Sequence, residues 1–171
     1  VRRAVSYLEA PGKLWTQPFP ELIDRLNECL ALEEAYREEY TRMRESTKGH
    51  PDRKALDLDE VIVFGKLELL VRRIAKLVEL FSTVTAFTEL TAHSLEGMEG
   101  MLRAFKQLVD SLKARPYSLL DFTQLAFDAD LLSFRSTIAE LEAALQAFIN
   151  HSFETISSTE AALQLLKRYR S

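Results

Sequence analysis

The sequence predicts an all-α fold, an elongated antiparallel bundle of four to five helices that forms one piece of a larger helical-bundle array. Three observations carry this expectation. From Asp59 to His93, the apolar residues Phe64, Leu67, Leu70, Val71, Ile74, Leu77, Val78, Phe81, Val84 and Phe87 recur at steps of three and four, which lines one face of an α-helix. Only five Gly and five Pro occur in 171 residues, and all but Gly65 gather near Pro11 to Pro20, Lys48 to Pro51, Gly97 to Gly100 and Pro116. The long segments between those clusters repeat the helical period.

In chain order, residues 1–19 form an irregular lead. Val5 and Leu8 share a face and allow a short helix over Val1 to Ala10, which Pro11-Gly12 cannot continue. Trp15 is read as a plug for one end of the bundle, a large apolar ring with one polar edge. Pro20 suits a first helical turn, and Glu21 and Asp24 suit its positive pole, so a helix is expected over about 20–47. Its inner face is assigned to Leu22, Ile23, Leu26, Cys29, Leu30, Tyr36, Tyr40 and Met43. Glu33 with Arg37, and Glu38 with Arg42, are four apart on its outer face. The run TKGHPDR from Thr47 is then a polar loop.

Asp57 and Glu60 have capping-box spacing, which opens a central helix over about 58–92. At about 1.5 Å per residue it would be roughly 45–50 Å long. Leu69, Leu80 and Leu90 fall outside its main stripe, so the apolar arc implies neighbours on two sides. Ser94 can cap a third helix, about 95–115, with Leu95, Met98, Met101, Leu102, Phe105, Leu108, Val109 and Leu112 inward. Gly97 and Gly100 weaken a helix and are expected to permit close approach at a tight corner. Beyond Arg115-Pro116 a connection offers Asp121 or Asp128 as caps for a helix over about 129–156. Ser157 to Glu160 repeats the capping-box pattern, so a break and a fifth helix over about 158–170 is the preferred reading. One continuous helix is the alternative, because Ala162, Leu165, Leu166 and Tyr169 nearly keep the phase.

A net charge of −4, from 22 basic and 26 acidic residues mixed along the chain, gives no electrostatic footprint for nucleic acid or an anionic membrane. The single Cys29 is expected to be a buried, inert thiol in a reducing compartment. No uncharged apolar run reaches the about 18 residues of a membrane span, and no secretory leader is seen. The start at Val1 and the stop just after an apolar helix suggest a piece of something longer.

Motifs that carry chemistry are missing. Gly12-Lys13-Leu14 and Gly65-Lys66-Leu67 lack the first glycine and the hydroxyl of a phosphate-cradling loop. His93 with Glu96 and His151 with Glu154 reverse the Glu-x-x-His order of di-metal bundles. The cluster Glu33, Glu34, Glu38 and Glu39 alternates with arginine and reads as a solvated face. His50, His93 and His151 have no Ser or Cys nucleophile at an obvious elbow, and Asp128 and Asp130 read as caps. The expectation is a segment with no enzymatic activity, catalytic residue, metal or cofactor.

Four blocks, LDLDEVIVFGKLELLVRRIAKLVELF (Leu56 to Phe81), LEGMEG (Leu95 to Gly100), RPYSLLDF with FDADLLSF (Arg115 to Phe134) and LEAALQAFINHSFETISSTEAALQLLKRY (Leu141 to Tyr169), resemble the N-terminal tail region of dynein heavy chains, axonemal members most of all. The resemblance covers roughly residues 20–171. Leu67 and Leu70 depart from it by standing where the family often has Phe. It implies a helical-bundle segment placed away from the ATP-hydrolysing ring, in the axoneme of a cilium or flagellum. It also implies partners: other heavy chains, intermediate and light chains, and docking factors on the doublet microtubule. The family supplies no catalytic residue to carry over. From the residues themselves, Arg72, Arg73 and Lys76 lie on one side of the central helix. They are candidates for an acidic patch on a neighbouring helix or a partner subunit. An independent adaptor that captures amphipathic helices is the alternative function, and it requires a contiguous exposed apolar strip.

Overall fold

The structure, a computed structural model, describes residues 12–48, 60–92 and 97–169. Among these, a 3-10 turn (Lys13–Thr16) precedes α1 (Phe19–Thr47), α2 (Glu60–Ala92), α3 (Glu99–Lys113) and α4 (Ala126–Tyr169), and no strand occurs. The all-α expectation is met. The short helix over Val1 to Ala10, the Asp57 capping box, the Ser94 cap, His50 and His93 lie outside the described residues.

Each helix end has a local cause. Pro20 sits in the first turn of α1 with Glu21 beside it, where a missing N–H costs nothing and a negative charge is favoured. At the other end, the Thr47 hydroxyl donates to the Arg44 carbonyl at 2.9 Å, satisfying one of the last four acceptors that the helix leaves open. α3 begins at Glu99, four residues later than expected, because Gly97 has φ +99° and cannot be helical. A Cβ on Gly97 would meet Phe148 at 3.1 Å, so this glycine does serve a close approach. Gly100, expected to do the same, has open space around it.

α4 runs unbroken through Ser157 to Glu160, which corrects the preferred break and the separate fifth helix. A Ser-Ser-Thr run inside a helix costs only about 0.5 kcal/mol per residue against Ala. The Ala161, Ala162 and Leu163 that follow favour continuing, and nothing there forces the extended residue that a cap requires. α4 also starts at Ala126 instead of about 129. Asp121 caps the turn before it, accepting from the Thr123 backbone N–H at 3.0 Å, while Asp128 falls inside the first turn.

Ring contacts give the directions of the chain. Phe19 meets Phe81 at 5.2 Å, and Tyr40 meets Phe64 at 5.0 Å, so α1 and α2 are antiparallel. Phe87 stacks on Phe105 at 5.0 Å, while Lys113 lies over Trp15, itself 5.0 Å from Phe81, which makes α2 and α3 antiparallel as well. Gly97 lies against Phe148 and Arg115 against Asp130, so α4 returns antiparallel to α3 and therefore parallel to α2.

Leu77, Leu80, Phe81, Phe127 and Phe134 are at most 2% exposed and form the centre of the core. α2 has neighbours on two sides, as expected, though Leu69 and Leu90 take no part in burial and are half exposed. Trp15, expected to plug one end of the bundle, instead packs against Phe19 and against Phe81 in the centre of the core, which Leu14 also joins. The helices are staggered. From Cys29 onward α1 runs beside Phe64 to Ile74 of α2, and α4 extends beyond Gly97 from Ile149 to Tyr169.

Phe81→Ala, at 0% exposure and with Trp15 and Phe19 resting on its ring, is expected to cost about 3–5 kcal/mol in chemical denaturation. Gly97→Ala is expected to destabilise by about 1–2 kcal/mol through its positive φ and the Phe148 contact. Gly65→Ala, inside α2 with open space at its Cβ, is expected to stabilise by up to about 1 kcal/mol in the same assay.

Candidate docking surface

The basic trio divides. Arg73 is 3% exposed; its Nη2 donates to the Gln124 carbonyl at 2.8 Å, and its guanidinium carbon lies 4.0 Å from the centroid of the Phe127 ring. Lys76 donates to Asp128 at 3.0 Å. Both residues are therefore engaged by the connection into α4 and by its first turn. Arg72 points elsewhere, exposed and paired with Glu68 on its own helix. One turn beyond Lys76, Arg135 donates to both oxygens of Glu79, at 2.6 and 2.5 Å. These contacts form a polar seam along α2 and α4.

The seam's electrostatics follow from burial and pairing. Burial lowers the Arg73 guanidinium pKa from its ordinary value, against the pull of Asp128, Tyr117 and Asp121, and its Nη1 meets no acceptor among the described residues. The hydrogen bond from Arg135 holds the Glu79 carboxyl below its ordinary value. Burial, followed by the hydrogen bond to Asp130, pushes the Tyr117 phenol up. Asp130 accepts from both Tyr117 and Arg115, each at 2.7 Å, and so ties the start of the connection to α4.

A second feature lies on the hairpin of α1 and α2. Cys29, Leu32, Glu33 and Tyr36 of α1 face Leu67, Leu70, Val71 and Ile74 of α2 across a groove of about 370 Å³. Leu32 is 72% exposed and Tyr36 59%. Cys29 is exposed, and so is Met43, which corrects the assignment of Cys29, Tyr36 and Met43 to a buried face. The cause is the stagger. Leu22, Leu26 and Tyr40 use up the face of α1 that meets α2, and among the described residues no third helix stands beside the neighbouring stripe. Leu32 was not singled out in the sequence, although it stands three residues from Cys29 and four from Tyr36 on that stripe.

The wall is kept in shape by Glu33, which accepts from Arg37 at 2.9 Å, while the Arg37 guanidinium carbon sits 4.8 Å from the centroid of the Phe64 ring. Arg42 pairs with Glu39, three residues away, instead of Glu38 as the four-residue spacing suggested. No group of three or more His, Cys, Asp or Glu placed to hold a metal occurs among the described residues. No described helix is long and apolar enough to cross a membrane. The arrangement offers contact surface: one apolar groove at one end, and Phe153 and Leu163 exposed on the extension of α4 at the other.

Comparison with known proteins agrees with the resemblance read in the four blocks. Residues 1–171 match the family model for the dynein heavy chain, N-terminal region 1. The chain is 37% identical to the dynein gamma chain of the flagellar outer arm of Chlamydomonas reinhardtii, over 100% of this chain and 4% of that one. It is 31% identical to dynein axonemal heavy chain 8 of Homo sapiens, over 92% of this chain and 4% of that one. The dynein beta chain of the Chlamydomonas reinhardtii flagellar outer arm is 21% identical over 99% of this chain and 4% of its own length. The chain thus spans only a few per cent of the length of these relatives, within the region that the family model places at the heavy chain's N-terminal side. It belongs to the dynein heavy chain family, as a segment of the N-terminal tail region.

Proposed function

We propose that this chain is a structural and assembly segment of the tail of a ciliary or flagellar dynein heavy chain, and that the α1–α2 groove receives an amphipathic helix from another heavy chain of the same complex. The observation that carries the reading is the groove itself, a contiguous apolar strip that no third helix among the described residues covers. Support for a heavy chain as occupant comes from the relatives. The gamma and beta chains of one organism's flagellar outer arm each contain a segment like this one, so two such segments belong to the same arm.

Residues 20–171 would act as one unit behind the lead of 1–19, with intermediate and light chains and doublet-microtubule docking factors as further tail partners. ATP hydrolysis would lie elsewhere in the parent chain. Of the basic trio, Arg72 is the member open to a partner, beside the groove's Val71, while Arg73 and Lys76 serve the seam. The adaptor reading shares the groove, but the family match supports the tail.

Leu32→Glu with Tyr36→Glu places two charges in the groove at exposed positions, so the melting temperature should stay within a few degrees of the parent. Recovery of a second heavy chain from axonemal extract should fall at least about tenfold, the equivalent of about 1.4 kcal/mol. Leu132→Glu, 66% exposed on α4, should leave recovery unchanged. Equal recovery by the groove variant and the parent would remove the groove from the interface. Charge reversal at Arg72 alone should weaken the same recovery more at low salt than at high, since exposed charges are screened.

A further inference from the structure

We propose that the polar seam between α2 and α4 is a register lock: it selects one axial alignment of two parallel helices whose apolar faces would accept another. The apolar pattern of α4 repeats every seven residues, with Phe127, Phe134, Leu141 and Phe148 in one series and Leu131, Ile138 and Leu145 in the next. Sliding α4 back by seven residues along α2 puts Phe134 where Phe127 was, Ile138 where Leu131 was and Leu141 where Phe134 was. Swaps between large apolar side chains of similar volume are the ones a core tolerates best. Hydrophobic contact alone therefore discriminates poorly between the two alignments.

The charges do discriminate. In the observed alignment Lys76 meets Asp128 at 3.0 Å and Glu79 is held by Arg135 through both oxygens. After the slide Lys76 stands opposite Arg135, and Glu79 opposite Glu142, so two like-charge pairs replace two ion pairs. Arg73 also loses its acceptor. The Gln124 carbonyl is available because Gln124 precedes the first turn of α4, whereas the carbonyl of Leu131, seven residues on, lies inside the helix. A buried guanidinium without an acceptor is costly.

Other slides fail for related reasons. A one-turn slide sets Lys76 against Leu131 or Leu132 and Glu79 against Ile138 or Ala139. A seven-residue slide the other way sets Glu79 against Asp128 and requires helix before Ala126, where the chain is in turns held by Asp121. Asp130, bound by Arg115 and Tyr117, adds a matching constraint from the connection. A part-satisfied buried arginine is a weak stabiliser, and setting register is the best-attested use of such groups. Here the lock fixes how far the α4 extension stands from the groove, because a seven-residue slide moves that extension by about 10 Å.

The test is a pulsed electron paramagnetic resonance distance in the 171-residue chain carrying Cys29→Ser. Spin labels go on the exposed positions Ala75 and Glu154, through Ala75→Cys and Glu154→Cys. The parent seam should give a single distance. Arg135→Glu with Glu142→Arg opposes the observed alignment and pairs both charges in the slid one, so the distance should shorten by about 10 Å. An unchanged distance in a variant that is still helical by circular dichroism overturns the proposal. If that variant does not fold, Arg73→Met with Lys76→Gln, Glu79→Gln and Arg135→Gln removes the lock without adding repulsion. A second, shorter distance is then expected, and a single unchanged one overturns the proposal equally.

Discussion

The fold depends on burying α2 from two sides. Leu77, Leu80 and Phe81 are at most 1% exposed, and no single neighbour could cover them and Phe87 together. At roughly 2–3 kcal/mol for each large side chain withdrawn from water, these residues outweigh any ion pair in the molecule. α1 and the 3-10 turn cover one flank through Phe19 and Trp15, and α3 and α4 cover the other through Phe105 and Phe134. The antiparallel turns and the parallel pairing of α2 with α4 follow from meeting that demand with one chain.

The helices were legible because periodicity and the placement of Gly and Pro are local properties. The all-α class, the two-sided central helix and the corner at Gly97 follow from them. Exposure was less legible, because a stripe of apolar residues states which way a helix face points and says nothing about whether a neighbour stands there. Cys29, Tyr36 and Met43 belong to a genuine stripe that ends at solvent. The Ser157 to Glu160 pattern misleads for a related reason, since a capping box is a conditional signal that needs the preceding residue to leave the helix. Gly97 meets its counterpart of that condition with a positive φ, and Ser157 lies within α4.

The candidate site divides along the same line. That Arg72, Arg73 and Lys76 share one side of a helix could be read from spacing. Which of them turns inward depended on where Asp128 and the Gln124 carbonyl arrive, and those lie about fifty residues further along the chain. The groove needed the stagger of α1 and α2 past the other helices, and stagger is set by helix lengths and connections together. The family resemblance could not supply it either, because four matching blocks identify a segment without saying which of its faces stays open.

The parallel course of α2 and α4 has a mechanical consequence. The groove lies at one end of the body and the α4 extension at the other, so tension applied between the two ends would act along the α2–α4 contact. The load is then shear, which strains Phe127, Leu131, Phe134 and Ile138 and the ion pairs beside them all at once. Peeling would break them one by one and would yield at a far lower force. A segment built this way is stiff along the α2–α4 axis and compliant across it.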